Sequence, residues 1–379
     1  MDAHLSLTQQ WQPEIVALIR RLVECESPSD DPAAVNRFVD LVADTVSGMA
    51  KIKTFSGGRF GKHLRCEFGL PGRRKQDRLL VLGHSDTVYP AGTLSSMPFR
   101  EADGRLWGPG VLDMKGGLAF FIFAMRALRE LDTPVRQRVV LLLNSDEEVG
   151  SESSRPITER EAGRSSAVLV IEPATGLEGK LKTARKGVGD YTVTVRGKAA
   201  HAGLDFTSGA NAVVELARQI EKITEFTRLS RGLTVSPGVI NGGVRSNVVP
   251  DLARLEVDVR VQRLGDAAAL DRKFHSLRPV DRRCTIEISG GLSRPPMERS
   301  AGAVSMFRTA RRISAEMGWT LDESLSGGGS DGNFTAALGV PTLDGLGAVG
   351  EGAHSPRESM LVNRIADRTA LLARLIAAL

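Results

Sequence analysis

The chain has 379 residues, more than one ordinary domain contains, so we expect two domains. Hydrophobic residues make up 41% of the chain and charged residues 25%, which excludes an intrinsically disordered protein. The formal net charge of +5 indicates a soluble surface with a basic bias, and a site that attracts small anionic molecules is the alternative. No Lys/Arg-rich run is interleaved with aromatic residues. We therefore expect no nucleic-acid partner.

The three cysteines, Cys25, Cys66 and Cys284, lie far apart without CxxC spacing, which favours free thiols in a reducing compartment. The N-terminal residues lack a basic segment followed by an apolar one, and the chain has no apolar run of 18 residues. We therefore expect a cytoplasmic protein with no membrane partner, although a chain trimmed of its signal peptide would have the same sequence.

The first half of the chain alternates predicted helices and strands. Helical apolar spacing predicts two N-terminal helices and one strongly apolar, buried helix, over residues 7–24, 32–50 and 117–131. Continuous apolar runs, which are typical of central parallel strands, predict strands over residues 79–83, 138–143 and 167–171. This alternation predicts an α/β domain with a mostly parallel sheet and helices on both of its faces.

The pattern changes near residue 187, and Tyr191–Val195 has the two-residue alternation of a half-buried strand. The next predicted elements are a helix, two strands, a helix and a strand, over residues 210–226, 232–240, 252–262, 265–277 and 284–289. This β-α-β-β-α-β order predicts an inserted ferredoxin-like α+β domain over residues 187–291. The first domain, 1–186 and 292–379, resumes with a helix, a strand and a helix over residues 300–317, 341–346 and 363–378.

Five short polar clusters carry acids and histidines, and four of them follow or lie near apolar runs. Their residues are His84 with Asp86, Asp113, Glu147 with Glu148, Glu172, and His354. A twisted α/β sheet gathers the C-terminal ends of its strands into one crevice, so we expect these side chains to meet there. Imidazole and carboxylate together are typical ligands of divalent metal ions.

Each cluster taken alone also has a structural explanation, such as a turn aspartate for Asp113 or a solvated acidic loop for Glu147 and Glu148. Adjacent carboxylates at the end of a buried strand are, however, costly without cations. One glutamate of that pair can bind metal while the other takes a proton from the attacking water. One histidine and one glutamate per metal, with a shared aspartate, accounts for all five clusters as one two-metal site.

These clusters resemble the di-zinc exopeptidase family that includes glutamate carboxypeptidase (carboxypeptidase G), aminoacylase, acetylornithine deacetylase and succinyl-diaminopimelate desuccinylase. The matching motifs run in order from residue 83 to residue 355: GHSDTVYP, GPGVLDMKGG, NSDEEVGS, IEPA, GKAAHAG, SNVVP, DVR, GGGSDG and GAHS. The likeness is strongest to the glutamate carboxypeptidase branch and covers nearly the whole chain.

The resemblance implies two Zn²⁺ ions per subunit, with Co²⁺ or Mn²⁺ as substitutes. It places His84 and Glu172 on one zinc, Glu148 and His354 on the other, and Asp113 between them. It makes Glu147 the general base and Asp86 the residue that orients His84. It also implies a cis peptide bond between Asp113 and Met114, where relatives often have aspartate or asparagine instead of the methionine.

The inserted domain resembles the family's lid, which implies a homodimer formed through residues 187–291. His201 matches a histidine that reaches the active site from the partner subunit and stabilises the developing oxyanion. Asn247 and Arg260 match lid residues that contact the substrate carboxylate, although Arg260 alternates on a strand and is also explained as a surface arginine.

The remaining matches concern substrate contacts. Gly328, Gly329 and Ser330 match a loop that approaches the substrate backbone. Lys180 and Arg294 match cationic positions of the glutamate carboxypeptidase pocket, although their flanking sequences differ from that pattern.

We therefore expect a zinc-dependent hydrolase that acts on a peptide, a folate-like compound or an N-acyl conjugate. It is expected to cleave the amide bond to the C-terminal amino acid, which we expect to be glutamate. An N-acyl-amino-acid deacylase or a dipeptidase of the same family remains an alternative. A non-catalytic metal-binding scaffold is a further alternative, but Glu147 argues against it because metal binding alone needs no base.

Overall fold

The computed structural model describes residues 2–72 and 77–379. The α-helices are α1 (Ala3–Gln10), α2 (Gln12–Glu24), α3 (Pro32–Val46), α4 (Gly116–Glu130), α5 (Arg155–Ala162), α6 (Ala212–Thr224), α7 (Leu264–His275), α8 (Ala301–Glu316), α9 (Gly332–Ala337) and α10 (Ile365–Ala378). The strands are β1 (Ala50–Ser56), β2 (Lys62–Phe68), β3 (Arg78–His84), β4 (Arg100–Ala102), β5 (Arg105–Trp107), β6 (Arg138–Asn144), β7 (Ala167–Val170), β8 (Leu181–Arg185), β9 (Gly187–Arg196), β10 (Ala200–His201), β11 (Thr234–Gly242), β12 (Val248–Val249), β13 (Leu252–Val261), β14 (Thr285–Arg294), β15 (Glu323–Ser326), β16 (Thr342–Leu343), β17 (Gly350–Glu351) and β18 (Ser359–Leu361).

The chain divides into two compact units. The first takes in the chain up to Ala184 together with Arg299–Ser326 and Ser330–Leu379, and the second takes in Arg185–Glu298 with Gly327–Gly329. Residues 292–298, which the sequence pattern placed in the first domain, belong to the second unit. The reason is that β14 continues along β9 as far as Arg294, and Met297 then pairs with Arg185 through two backbone hydrogen bonds.

The first unit is built on a six-stranded sheet in the order β1-β2-β6-β3-β7-β16. The four strands from β6 to β16 are parallel, and β1 and β2 add an antiparallel edge. Successive residues of β3 face opposite sides, so Leu79 and Val81 pack with the larger core, while Leu80 and Leu82 pack in a second cluster with Ile157 of α5. The predicted mostly parallel sheet with helices on both faces is therefore confirmed.

Helix α4 passes close to the sheet because it begins with two glycines. A Cβ atom added at Gly117 would lie 2.1 Å from the carbonyl oxygen of Ile171, at the end of β7. Only a residue without a side chain permits this approach, which brings the start of α4 against the end of that strand.

The second unit carries a four-stranded sheet in the order β11-β13-β9-β14, with every neighbouring pair antiparallel. Residues of α6 and α7, among them Leu216 and Phe274, share one hydrophobic core with alternate residues of these strands. The chain order β9-α6-β11-β13-α7-β14 confirms the predicted ferredoxin-like arrangement. Across both units, none of the described helices is long and apolar enough to cross a membrane.

Candidate metal centre

The predicted polar residues lie at the C-terminal ends of three neighbouring parallel strands. His84 is the last residue of β3, Glu147 and Glu148 follow β6, and Glu172 follows β7. Because these strands are adjacent and parallel, their C-terminal ends meet at one edge of the sheet. The apolar strands are buried side by side in the sheet, and the polar residues that follow them are therefore placed together at this edge.

The side chains form two groups that share Asp113. In the first group, Nε2 of His84 lies 3.2 Å from Oδ1 of Asp113 and 3.4 Å from Oε1 of Glu172. In the second, Nε2 of His354 lies 3.4 Å from Oδ2 of Asp113 and 3.3 Å from Oε2 of Glu148. Asp113 therefore turns one carboxylate oxygen towards each histidine.

This donor set fits a pair of divalent metal ions. Within each group the candidate ligand atoms all lie within 4.8 Å of one another. Each group combines one imidazole nitrogen with two carboxylates, which is a ligand combination found at zinc sites. The first group is largely buried, whereas the His354 side chain is half exposed, so one side of the cluster is open to solvent.

The pKa shifts show that the cluster stabilises positive charge. Hydrogen bonds with Asp113 and Glu148 raise the pKa of His354 to about 10, against the opposing effect of its partial burial. Burial lowers the pKa of His84, but hydrogen bonds with the surrounding carboxylates raise it by more, so the net shift is well upward. Burial raises the pKa of Asp113, but its hydrogen bonds to the two histidines produce a net downward shift.

Asp86 joins the His84 segment to the two glutamates. Its Oδ1 accepts a hydrogen bond from the backbone N–H of Glu147 at 3.2 Å, and its Oδ2 accepts one from that of Glu148 at 3.2 Å. The ring of His84 contacts Asp86 mainly through the backbone, with 2.9 Å between Nδ1 and the carbonyl oxygen and 3.6 Å to Oδ1. A fixed Nδ1 leaves Nε2 directed at the candidate metal position.

The loop that carries Asp113 is held by Glu358, a residue that the sequence analysis missed. Glu358 is fully buried, and its Oε1 accepts hydrogen bonds from the backbone N–H groups of Leu112 (2.8 Å) and Asp113 (3.0 Å). Its Oε2 accepts from the hydroxyl of Tyr89, which also contacts the carbonyl oxygen of Ser355, next to His354. The sequence offered only a weak signal, an acid four residues after the histidine.

Met114 lies behind His84 rather than facing the candidate metal position. The peptide bond between Asp113 and Met114 is cis, as the resemblance implied. The Met114 side chain is buried, and its Sδ lies 3.2 Å from the backbone nitrogen of His84, which donates to it. This buried position behind His84 suits an apolar methionine side chain.

Comparison with known proteins agrees with this site. A sequence model of the family described as "Peptidase family M20/M25/M40" matches residues 80–378. The chain belongs to the M20/M25/M40 peptidase family. It is therefore an enzyme of a hydrolase family whose members are peptidases and amidohydrolases.

Two curated relatives and one solved structure illustrate the likeness. The chain is 29% identical over 374 residues to carboxypeptidase G2 of Pseudomonas sp. (strain RS-16), covering 96% of this chain and 89% of the relative. It is 29% identical over 384 residues to a succinyl-diaminopimelate desuccinylase of Cereibacter sphaeroides (strain KD131 / KCTC 12085), covering 95% and 97%. The crystal structure of aminopeptidase PepT from Bacillus cereus ATCC 10987 superposes with a TM-score of 0.82 at 22% identity, covering 97% of this chain and 98% of that one.

Two of the predicted substrate-contact residues, Ser330 and Lys180, lie in the first unit of this M20/M25/M40 family member. Ser330 is fully buried, and its hydroxyl donates to Oδ2 of Asp344 at 2.7 Å, so its side chain is already engaged within the protein. Lys180 is half-buried at a turn, where its backbone pairs with that of Thr175. Along the chain, Lys180 comes eight residues after the candidate ligand Glu172.

The remaining residues for which the sequence predicted a role in catalysis or substrate binding lie in the second unit. Strand β10 pairs with β12, which brings His201 next to Asn247, and the carbonyl oxygen of Asn247 accepts from the N–H of Ala202 at 2.9 Å. Nε and Nη2 of Arg260 donate to the two carboxylate oxygens of Asp258 at 3.0 and 2.7 Å.

The glycine loop of the second unit is held by a buried arginine. Nη1 of Arg185 donates to the carbonyl oxygens of Gly328 (3.2 Å) and Gly329 (2.9 Å). Arg294 is also buried, and its Cδ lies within 2.8 Å of the position that a Cβ at Gly329 would occupy. The structure thus brings Gly328, Gly329 and Arg294 together within this unit.

Proposed function

We propose that the chain hydrolyses the amide bond that joins a C-terminal glutamate to a peptide, folate-like or N-acyl group. The observation that carries the proposal is the pair of histidine–carboxylate groups that share Asp113, with Glu147 directly before Glu148 in the same loop. The likeness to carboxypeptidase G2 over almost the whole chain supports this substrate class.

Two Zn²⁺ ions are the cofactors that we propose, with Co²⁺ or Mn²⁺ as substitutes. His84 and Glu172 would hold one ion, Glu148 and His354 the other, and Asp113 would contribute one oxygen to each. Bound divalent ions polarise a carbonyl group and lower the pKa of a water molecule.

Within this mechanism Glu147 moves the proton. Its side chain is partly exposed, and its backbone is fixed by Asp86, so the carboxylate is positioned beside the ligand set without being part of either group. Glu147 accepts a proton from the attacking water and hands it to the leaving nitrogen. Glu148, the next residue, remains a ligand.

We assign the oxyanion donor to His201. Its Nδ1 accepts hydrogen bonds from the backbone N–H groups of Gly203 and Leu204, both at 3.1 Å. The neutral ring therefore carries its proton on Nε2, which is available to donate to a developing negative charge.

We assign recognition of the substrate carboxylate to Asn247 and Arg260, with Lys180, Arg294 and the Gly328–Ser330 loop as further substrate contacts. Asp258 already engages Nε and Nη2 of Arg260. A substrate carboxylate is then received by Nη1 or displaces Asp258, and either arrangement gives the charge-assisted contact that a guanidinium provides.

We further propose that the chain forms a homodimer through residues 187–291. Strand β11 is at the edge of its sheet, and Val239 and Ile240 on it are about half exposed, at 48% and 56%. An exposed apolar edge strand is prone to pair with another chain, and a second copy of the same strand would cover it.

An N-acyl-amino-acid deacylase or dipeptidase is the second candidate. The likeness to a succinyl-diaminopimelate desuccinylase, at the same identity as the likeness to carboxypeptidase G2, favours it. The water-activating residues serve both reactions equally. Substrate selectivity therefore decides between them.

The test of hydrolysis is the Glu147→Gln variant loaded with zinc. We expect kcat to fall by about 10²- to 10⁴-fold, because the general base is lost, while the zinc content of the protein is unchanged. Full activity in this variant would rule out the assigned base. Loss of zinc with loss of activity would instead identify Glu147 as a ligand.

The test of specificity is a substrate panel on the native protein. It contains a folyl-glutamate, an N-acetyl-glutamate, the matching glutamine and C-terminal amide compounds, an N-succinyl-amino acid and a set of dipeptides. Preference for the glutamate compounds over glutamine supports the first candidate. Preference for the succinyl compound or the dipeptides supports the second.

A further inference from the structure

Asp331 is a buried carboxylate that the proposed mechanism does not use. It is 4% exposed and lies directly before helix α9, where an aspartate usually caps the helix with its side chain. Here the side chain makes no such cap. Its Oδ1 accepts from the hydroxyl of Ser151 and its Oδ2 from Nδ2 of Asn144, both at 2.5 Å.

These two donors flank the catalytic loop on either side. Asn144 is the last residue of β6, and Ser151 ends the segment that contains Glu147 and Glu148. Ser151 has a positive φ of 60°, which is uncommon for a serine. One carboxylate therefore holds both ends of the loop, which we define as residues 144–151.

Other hydrogen bonds also hold this loop, including one from Nδ2 of Asn144 to the hydroxyl of Thr158 at 2.9 Å. Asp86 accepts from the N–H groups of Glu147 and Glu148, and the N–H of Ser151 donates to the carbonyl oxygen of Asp146 at 2.7 Å. The two hydrogen bonds to Asp331 differ from these because a single carboxylate accepts one from each end of the loop. A charged acceptor makes such bonds stronger than neutral ones.

Burial of a carboxylate costs free energy that an apolar residue of similar size avoids. The geometry of the loop gives this carboxylate a use beyond packing, since the proposed base and a proposed ligand both lie between its two donors. We propose that Asp331 is a positioning residue that fixes Glu147 and Glu148 in the geometry needed for metal binding and proton transfer. This inference rests on the proposed function for the role of Glu147.

The experiment compares Asp331→Ala and Asp331→Asn with a matched control, Thr335→Val. Asparagine retains both contacts without the charge, since its oxygen accepts from Asn144 and its amide donates to the Ser151 hydroxyl. Thr335 lies on α9, and its buried hydroxyl contacts Gly332 and Thr342 rather than the catalytic loop. The control therefore removes buried hydrogen bonds from the same helix.

Three quantities are measured for each variant: Co²⁺ affinity from the visible absorption of the bound ion, kcat and KM on a cleaved substrate, and the midpoint of thermal unfolding. We expect Asp331→Ala to weaken Co²⁺ binding and to lower kcat, each by about 10- to 100-fold, with KM little changed. Asp331→Asn recovers most of both losses. Thr335→Val loses thermal stability but keeps native Co²⁺ affinity and kcat.

Native Co²⁺ affinity and kcat in Asp331→Ala would overturn the proposal, as would equal losses in Thr335→Val. If Asp331→Ala does not fold, Ser151→Ala removes one of the two donors and is judged by the same quantities. If the native protein cleaves no compound of the panel, the proposed function fails, whereas the Co²⁺ affinities still decide whether Asp331 positions the loop.

Discussion

Buried carboxylates contact the backbone around the candidate metal centre, and Glu358, which is fully buried, holds the loop that carries Asp113. We expect Glu358→Ala to weaken metal binding and to lower kcat by about 10- to 100-fold, because the N–H groups of Leu112 and Asp113 lose their acceptor and Asp113 is no longer held in place. Calorimetric titration of the metal-free protein with Zn²⁺ measures the first effect, and hydrolysis of a cleaved substrate measures the second.

The control is Tyr89→Phe, which removes one donor to Glu358 and leaves its backbone contacts intact. A smaller loss of zinc affinity is expected, about tenfold at most. Unchanged zinc affinity in Glu358→Ala would contradict the assigned role, and an equal loss in both variants would place the effect in Tyr89.

The sequence pattern pointed to the candidate ligands, which the structure brings together, but not to the residues that hold them. His84, Glu148 and Glu172 lie at or just beyond the ends of continuous apolar runs, and burial of adjacent parallel strands brings their C-terminal ends to one edge of the sheet. Glu358 and Asp331 instead contact backbone groups or small polar side chains about 180 to 250 residues away. No local pattern encodes such contacts, so they appear only in the folded chain.

At the scale of elements, periodicity predicted the long segments and missed the short ones. The helix predicted over residues 7–24 is wrong in one respect, since the structure has α1 and α2 with a break at Trp11. Pro13 lies in the first turn of α2, where its missing N–H costs nothing, whereas in the interior of one long helix it would break a hydrogen bond. Strands of two or three residues, such as β5 and β18, have too few residues to show any period.

The small sheet formed by β8 and β15 provides a test of pH dependence. Glu323 on β15 receives two hydrogen bonds from Arg299, at 2.7 and 2.8 Å, and one from Thr183 on β8 at 2.6 Å. The contacts with Arg299 are the main cause of a pKa lowered to about 2, which Thr183 lowers further and partial burial opposes. Because the folded-state pKa is depressed, the stabilisation is present above the unfolded value of about 4.5 and is lost as the pH falls towards 2.

We therefore expect Glu323→Gln to lower the free energy of unfolding by about 1 kcal/mol at pH 7, since the pair is partly exposed and screened by solvent. The difference from the native protein shrinks below pH 4.5 and disappears near pH 2. Urea unfolding at several pH values measures it. Glu152→Gln is the control, because its pair with Arg59 is largely exposed and contributes little. A difference that is constant with pH would contradict the role of the carboxylate charge.

At the scale of the whole molecule, the proposed dimer would allow one active site to use groups from two chains. His201 is exposed in the second unit, and its Nε2 is the proposed donor to the oxyanion. If this donor acts on the partner subunit, a His201→Ala chain and a Glu147→Ala chain are each inactive alone. In a hybrid dimer, one of the two sites then combines Glu147 of the first chain with His201 of the second.

We expect a mixture of equal amounts of these two variants to recover about a quarter of native activity after subunit exchange, because half of the dimers are hybrids and each hybrid has one intact site. Exchange is monitored by fluorescence transfer between labelled chains. Adding Ile240→Lys to both variants places a charge on the exposed edge strand β11, so dimers and recovered activity are both expected to be lost. Val280→Lys is the matched control, since Val280 is also about half exposed but lies outside β11. If subunits exchange but activity does not recover, His201 acts within its own chain and the prediction of a shared site is wrong. If the native protein is a monomer, the proposal of a homodimer is itself wrong.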